Sequence, residues 1–240
     1  MDPRDFSDNR KNYDLLKERA LSCGLAFFGV AATAQIPSEY LLIETDLIKQ
    51  FPYAISAGYR LSKAVLQTID TAPSLLYSMH YRRVNTLLDH TALMLATVIQ
   101  QSGFEALPIP ASQVVDWTAE KGTVSHRHVA FQAGLGWIGR NNLLVNPNCG
   151  SQLRLVSILT DFPLEVNQPS IQEDCGDCLD CVRACPVEAI KRERKDFDFA
   201  ACSAKLNEFS RIRGIGHKIC GVCVKACWGQ ASLRRHLSQE

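Results

Sequence analysis

The residues of this 240-residue sequence best equipped for chemistry are its ten cysteines, and they are unevenly spread: Cys23 and Cys149 stand alone, and the other eight fall between Cys175 and Cys227. Cys175, Cys178, Cys181 and Cys185, followed by Pro186, spell CxxCxxCxxxCP. At that spacing a tight loop turns three thiolates toward one iron–sulfur cube, and the fourth thiolate reaches across to a second cube. A second set appears as Cys220, Cys223 and Cys227 in CGVCVKAC, with Cys202 upstream as a first cysteine displaced by a helix-like insertion, Ser203 to Ile215. The crossing rule assigns Cys175, Cys178, Cys181 and Cys227 to one [4Fe–4S] cluster and Cys185, Cys202, Cys220 and Cys223 to the other. CxxC pairs also build tetrahedral zinc sites, but three closely spaced cysteines plus a fourth before proline overfill a zinc ribbon. Cys23 and Cys149 read as small buried apolar residues.

Fewer signals lie outside the cysteines. GLGWIG contains GxGxxG as Gly134, Gly136 and Gly139, yet it follows helix-like sequence and opens onto β-prone NNLLV, the reverse of a dinucleotide fingerprint. Glycines that let a backbone approach a flat cofactor or a neighbouring module fit better. His126 and His128 flank Arg127; two residues apart, they cannot share one helix face as joint metal ligands. Tyr81, Arg82 and Arg83 offer a proton donor and two anion contacts, or a solvated helix face. The run KRERKD, Lys191 to Asp196, reads as a solvated helix end or a docking patch for an acidic redox partner.

The elements that must position these residues follow from periodicity. A helix is predicted over Asn9 to Cys23 with Gly24 as its stop, then a strand over Leu25 to Ala32, an apolar-periodic helix over Tyr40 to Phe51, and a strand over Tyr53 to Tyr59. Leu76, Met79, Val84, Leu87, Leu88, Ala92, Leu95, Ala96 and Ile99 predict a long central helix between Ala72 and Gly103. EALPIPAS is extended and leads into a loop, Gln113 to Ser125, expected to wall a site. A short helix over His126 to Gln132 and a β-run over Leu153 to Thr160 complete an α/β (α+β) domain over residues 1–165. The proline-bearing stretch Asp161 to Glu173 marks a linker to a small module over 166–240, in which Pro186 turns the chain into a helix over VEAIKRE.

Composition is that of an ordinary globular chain, 46% hydrophobic and 21% charged. A formal net charge of +1 is too balanced to argue for nucleic acid or a membrane surface as partner, and thiolate-held clusters would make the assembled protein acidic. Met1 to Leu16 lacks the basic and apolar regions of a secretory signal, and Ala20 to Ser38 is broken by Gly24, Gly29 and Pro37, so a cytoplasmic protein without a membrane span is expected.

AFQAGLGWIGRNNLLVNPNCGS, LTDFPLE, CGDCLDCVRACPVEAI, ACSAKL and CGVCVKAC together resemble the epoxyqueuosine reductase and reductive dehalogenase superfamily, over roughly Pro73 to Trp228. The resemblance implies a nitroreductase-like, cobalamin-binding type of domain followed by a ferredoxin-like module with two [4Fe–4S] clusters. It further implies that Gly134, Leu135, Gly136, Trp137, Gly139, Arg140 and Asn141 lie beside a corrinoid pocket or next to the cluster module. Two departures stand out. The family's proton-donating aspartate, followed by a small residue and proline, falls at Glu120 by simple counting from Gly134; Asp116 reaches that place only with a gap of four residues. The sequence also stops thirteen residues after Cys227, with Trp228 in place of the usual proline, where the epoxyqueuosine reductases continue into RNA-binding repeats. That removes support for a tRNA substrate; SHRHVAFQAGLGWIGRNNLL with EALPIPAS instead looks like the short double-cluster homologues of anaerobes.

The implied activity is a reductase. Electrons from a low-potential donor such as ferredoxin or flavodoxin pass through two clusters to a corrinoid or small-molecule substrate in the α/β domain, with Glu120, Asp116, His126 or Tyr81 as proton source. The alternatives are a non-catalytic electron carrier, a reductive activator of another corrinoid protein, and a cobalamin-handling protein.

Overall fold

A computed structural model describes residues 6–169 and 174–230, so residues 170–173 of the expected linker lie outside the described residues. In chain order the elements are α1 (Asn9–Ser22), β1 (Phe27–Ala32), α2 (Thr45–Ile48), β2 (Tyr53–Arg60), α3 (Lys63–Gln67), α4 (Leu75–Gln101), β3 (Ala106–Ile109), α5 (His126–Gln132), β4 (Trp137–Ile138), β5 (Leu144–Val145), β6 (Leu153–Thr160), α6 (Asp180–Ala184), α7 (Phe199–Ser210) and α8 (Val222–Ala226). Two compact units result. One comprises Met1–Arg60, Asn85–Leu135 and Arg154–Ile171; the other comprises Leu61–Val84, Gly136–Leu153 and Gln172–Glu240. Helix α4 runs through both, passing from one to the other at Val84 and Asn85. Among the described residues no helix is long and apolar enough to cross a membrane.

The first unit is built on a four-stranded sheet in the order β1-β2-β6-β3. β1 and β2 are antiparallel with Val30 opposite Ile55, and β3 and β6 are antiparallel with Ile109 opposite Ser157. Helix α1 starts where the Asp8 carboxylate accepts from the amides of Arg10 and Lys11, both at 3.1 Å, which satisfies donors left open in the first turn. It buries Tyr13, Leu16 and Ala20 on one face and stops at Gly24, whose φ of +88° suits a residue without Cβ. From Leu88 onward α4 buries Leu88, Ala92, Leu95, Ala96 and Ile99. Ala31, Ala54, Val129, Ala133 and Leu159 join Phe51 and Ile109 in the core against the sheet. A Cβ on Gly29 would come within 2.5 Å of the Ala133 carbonyl oxygen: the end of α5 meets β1 there too closely for any side chain.

Several sequence expectations change. The helix over Tyr40 to Phe51 shrinks to the single turn α2 because the backbone is committed elsewhere: Leu42 N–H donates to Thr123 O at 2.8 Å, Ser125 N–H donates to Tyr40 O at 2.9 Å, and Leu41 bridges Val124. In the long helix Leu76 and Met79 face outward, at 52% and 58% exposure, while Tyr77 and Ser78 turn inward.

In the second unit the CGDCLDCVRACP and CGVCVKAC stretches each form a one-turn helix, α6 and α8, which pack together. The predicted helix over VEAIKRE is absent. Glu188 sits at φ +52° in a turn closed by its own N–H on Cys185 O at 3.2 Å, which puts the chain outside helical geometry. Helix α7 begins earlier than the expected insertion. Asp198 caps it by accepting from Ala201 N–H at 2.9 Å, so Cys202 stands on its first turn.

Candidate functional site

Helices α6 and α8 place their cysteines alike: Cys181 and Cys223 are each the second residue of the turn, and Cys185 and Cys227 are the C-caps. Equivalent amides close both turns, Cys185 N–H to Val182 O at 3.3 Å and Cys227 N–H to Val224 O at 3.2 Å. Ahead of α6, Cys178 N–H donates to Cys175 O at 3.0 Å, and Gly176 takes φ +46° with its N–H on the Asp174 carboxylate at 2.6 Å. That tight loop is what the CxxC spacing requires.

The thiols of the two cysteine stretches act on one another. Burial raises the Cys181 thiol to about 12, and Cys227, Cys175 and Cys178 push in the same direction against the opposing charge of Arg140. Burial likewise lifts the Cys223 thiol well above its ordinary value, reinforced by Cys220, Cys181, Cys202 and Cys185. Cys185, Cys202, Cys220 and Cys223 line one cavity, with Val187, Ile190, Phe197 and Leu206 around them. Among the described residues no group of three or more His, Cys, Asp or Glu is drawn together tightly enough to hold a metal ion by itself. Four sulfurs around an apolar cavity are soft donors of the kind that iron–sulfur chemistry uses.

The GLGWIGRN residues serve the first set. Trp137 is buried and its indole N–H donates to Cys175 Sγ at 3.3 Å. Arg140 binds the loop that carries the cysteines, through Gly176 O at 2.7 Å, Cys178 O at 3.1 Å and Arg192 O at 2.5 Å. Asn141 is buried, donating to Ser151 Oγ at 2.9 Å and accepting from Leu143 N–H at 3.3 Å. Glycine is needed at 139 because a Cβ would lie 2.6 Å from Val145 Cγ2 and 3.4 Å from Cys175 Sγ. In the other unit, a Cβ on Gly134 would lie 2.6 Å from the Gln168 carbonyl oxygen, and Leu135 packs on the sheet core. The close approach that these glycines permit is to the chain itself. Two contributors have no signature of their own in the sequence: Ser151, whose backbone N–H donates to Cys227 Sγ at 3.3 Å, and Gln152, which holds Lys225 O at 3.3 Å. NPNCGS was the nearest signal, and Cys149 within it is a buried residue, as expected.

Asp116 and Glu120 share one tight turn of the 113–125 loop. The Asp116 carboxylate accepts from Thr118 and Ala119 N–H, both at 2.9 Å, and Glu120 sits at φ +51°. His126 opens α5, held between Ser157 Oγ at 2.8 Å and Pro110 O at 3.0 Å. A carbonyl only accepts, so Nε2 carries the proton and Nδ1 accepts from Ser157. Burial, opposed by the Pro110 carbonyl and aided by the Arg154 charge, lowers this imidazole to about 4. Tyr81 lies in the second unit, stacked on His217 with ring centroids 5.2 Å apart.

The fold is shared with solved structures of reductive dehalogenase and epoxyqueuosine reductase. A reductive dehalogenase whose structure bears on B12-dependent dehalogenation matches 98% of this chain and 35% of its own, with TM-score 0.74 and 22% identity. Epoxyqueuosine reductase from Streptococcus thermophilus matches 92% of this chain and 66% of its own, with TM-score 0.62 and 18% identity. In sequence the chain is similar to epoxyqueuosine reductase of Cyclobacterium marinum, 44% identical over 70 residues. That stretch is 29% of this chain and 23% of the relative, so the likeness spans a small part of the curated protein's length. No family model matches the chain.

Proposed function

We propose that the chain is an iron–sulfur reductase, in which Cys175, Cys178, Cys181 and Cys227 hold one [4Fe–4S] cluster and Cys185, Cys202, Cys220 and Cys223 hold a second. The single observation that carries this reading is the cavity walled by the four thiols of the second set. Two such clusters supply two one-electron stores, filled by a low-potential donor and emptied into a small-molecule or corrinoid acceptor. The chain's own residues prepare the site. Trp137 and Ser151 offer N–H groups to thiolate sulfur, Arg140 fastens the loop, and Val187, Ile190, Phe197 and Leu206 keep water away.

The GLGWIGRN residues do not fit a corrin-binding role, because Trp137 and Arg140 are spent on the cysteine loop, Asn141 on Ser151 and Leu143, and Gly134 and Gly136 on close approach to the chain's own backbone. A second reading, an electron carrier or activator without a product of its own, is favoured by Asp116, whose carboxylate is occupied as a turn cap.

Anaerobic reconstitution followed by reductive titration tests the proposal. About two electrons per chain are expected, and fewer than one would overturn it. Hydroxocobalamin added afterwards separates the acceptor classes. Stoichiometric retention through gel filtration places a corrinoid on this chain, and its loss with intact clusters makes the acceptor a separate molecule.

A further inference from the structure

A groove of about 580 Å³ lies among α3, α6 and α8 in the cysteine-bearing unit. Leu66, Pro186, Val222 and Trp228 give it apolar walls, and Lys63, Arg183 and Lys225 outnumber Asp70 among its charges. Arg183 is paired with Asp180 at 2.6 Å. Among the described residues, neither Lys63 nor Lys225 has a carboxylate at ion-pair distance. Lys63 lies 4.9 Å over the Trp228 ring, and the partly buried Lys225 ammonium is held on the Ile69 carbonyl. Cys185 and Pro186 line both this groove and the cavity of the second cysteine set. Cys185 and Pro186 are the residues that the two linings share.

We propose that this groove is the docking surface for an acidic electron-carrier protein, which delivers electrons across Cys185 to the second cysteine set. The inference rests on the two-cluster reading above. A cluster held by four thiolates is itself negative and repels an acidic carrier. Lys63 and Lys225, which have no carboxylate partner among the described residues, stand in the groove that Cys185 and Pro186 also line, where they offset that repulsion and steer the encounter. The apolar walls supply the desolvated centre that a transient interface needs. The step moves one electron from the reduced carrier to the cluster, with no proton or leaving group. A small organic anion is the other occupant the groove would suit.

The experiment uses the reconstituted, cluster-loaded chain in stopped flow, following loss of visible cluster absorbance. Reduced ferredoxin and reduced flavodoxin serve as acidic carriers, and reduced methyl viologen, a cation, serves as the partner-independent reductant. Lys63→Glu and, separately, Arg183→Glu are expected to lower the carrier rate about tenfold at low ionic strength, with salt lowering the parent rate as well. Methyl viologen should reduce both variants at no less than the parent rate. Carrier rates indifferent to both substitutions and to salt, or no reduction by either carrier while methyl viologen works, would overturn the docking proposal and leave the small anion. Failure of methyl viologen on the parent protein would instead overturn the two-cluster reading.

Discussion

The indole N–H of Trp137 meets Cys175 Sγ at 3.3 Å across 38 residues of sequence. It ties the GLGW segment to the CxxCxxC loop more directly than any backbone contact does. A donor aimed at sulfur stabilises the more negative, reduced state of a cluster held there.

Trp137→Phe keeps the buried ring and removes this donor. One of the two cluster midpoints should fall by about 40 mV, the equivalent of ~1 kcal/mol for a one-electron couple. The other should stay within error. An anaerobic redox titration followed by electron paramagnetic resonance reads both, and two unshifted midpoints would remove Trp137 from the cluster site.

Gly150 has φ +62°, and a Cβ there would press on the Cys227 carbonyl while lying 2.7 Å from Gly229 N. Gly150→Ala should therefore displace Cys227, costing about 2–3 kcal/mol of stability and roughly half the bound iron. Thermal melting with an iron assay checks it, and full iron content at the parent Tm would contradict the packing argument.

Single serine replacements should sort by set, across the order of the sequence. Cys227→Ser should behave as Cys181→Ser does and Cys185→Ser as Cys223→Ser, each pair losing the spectrum of one cluster and keeping the other. Loss of the same spectrum in Cys185→Ser and Cys181→Ser would contradict the crossed assignment.

Acid should weaken the sheet unit through His126. Its folded-state value lies near 4, below the ordinary 6.5, so between those values the unfolded chain binds the extra proton. The stabilising contribution is fully present above about pH 6.5 and is lost as pH falls toward 4. Over the roughly 1.5 units between pH 6.5 and pH 5 the loss amounts to about 2 kcal/mol. Urea midpoints at pH 7 and pH 5 measure it, and His126→Gln should flatten the difference.

Elements with strong local signals were legible in the sequence. α1, β1, β2, α5 and β6 lie within a few residues of their expected positions, because caps, glycine stops and apolar runs decide them locally. Non-local commitments were not legible: the bridge from Leu41 to Val124 shortened a helix, and the left-handed Glu188 abolished one. The sequence points to one linker near residue 165, whereas Leu61–Val84 and Gly136–Leu153 pack with the cysteine segment. No periodicity encodes that interleaving. The same gap hid the use of Trp137, Arg140 and Ser151, whose partners lie 36 to 76 residues away.

The central claim is that eight cysteines hold two cubes. Iron and acid-labile sulfide, assayed on anaerobically purified protein alongside zinc, test it most directly. About eight of each and negligible zinc are expected. About two zinc ions per chain with no sulfide would contradict it.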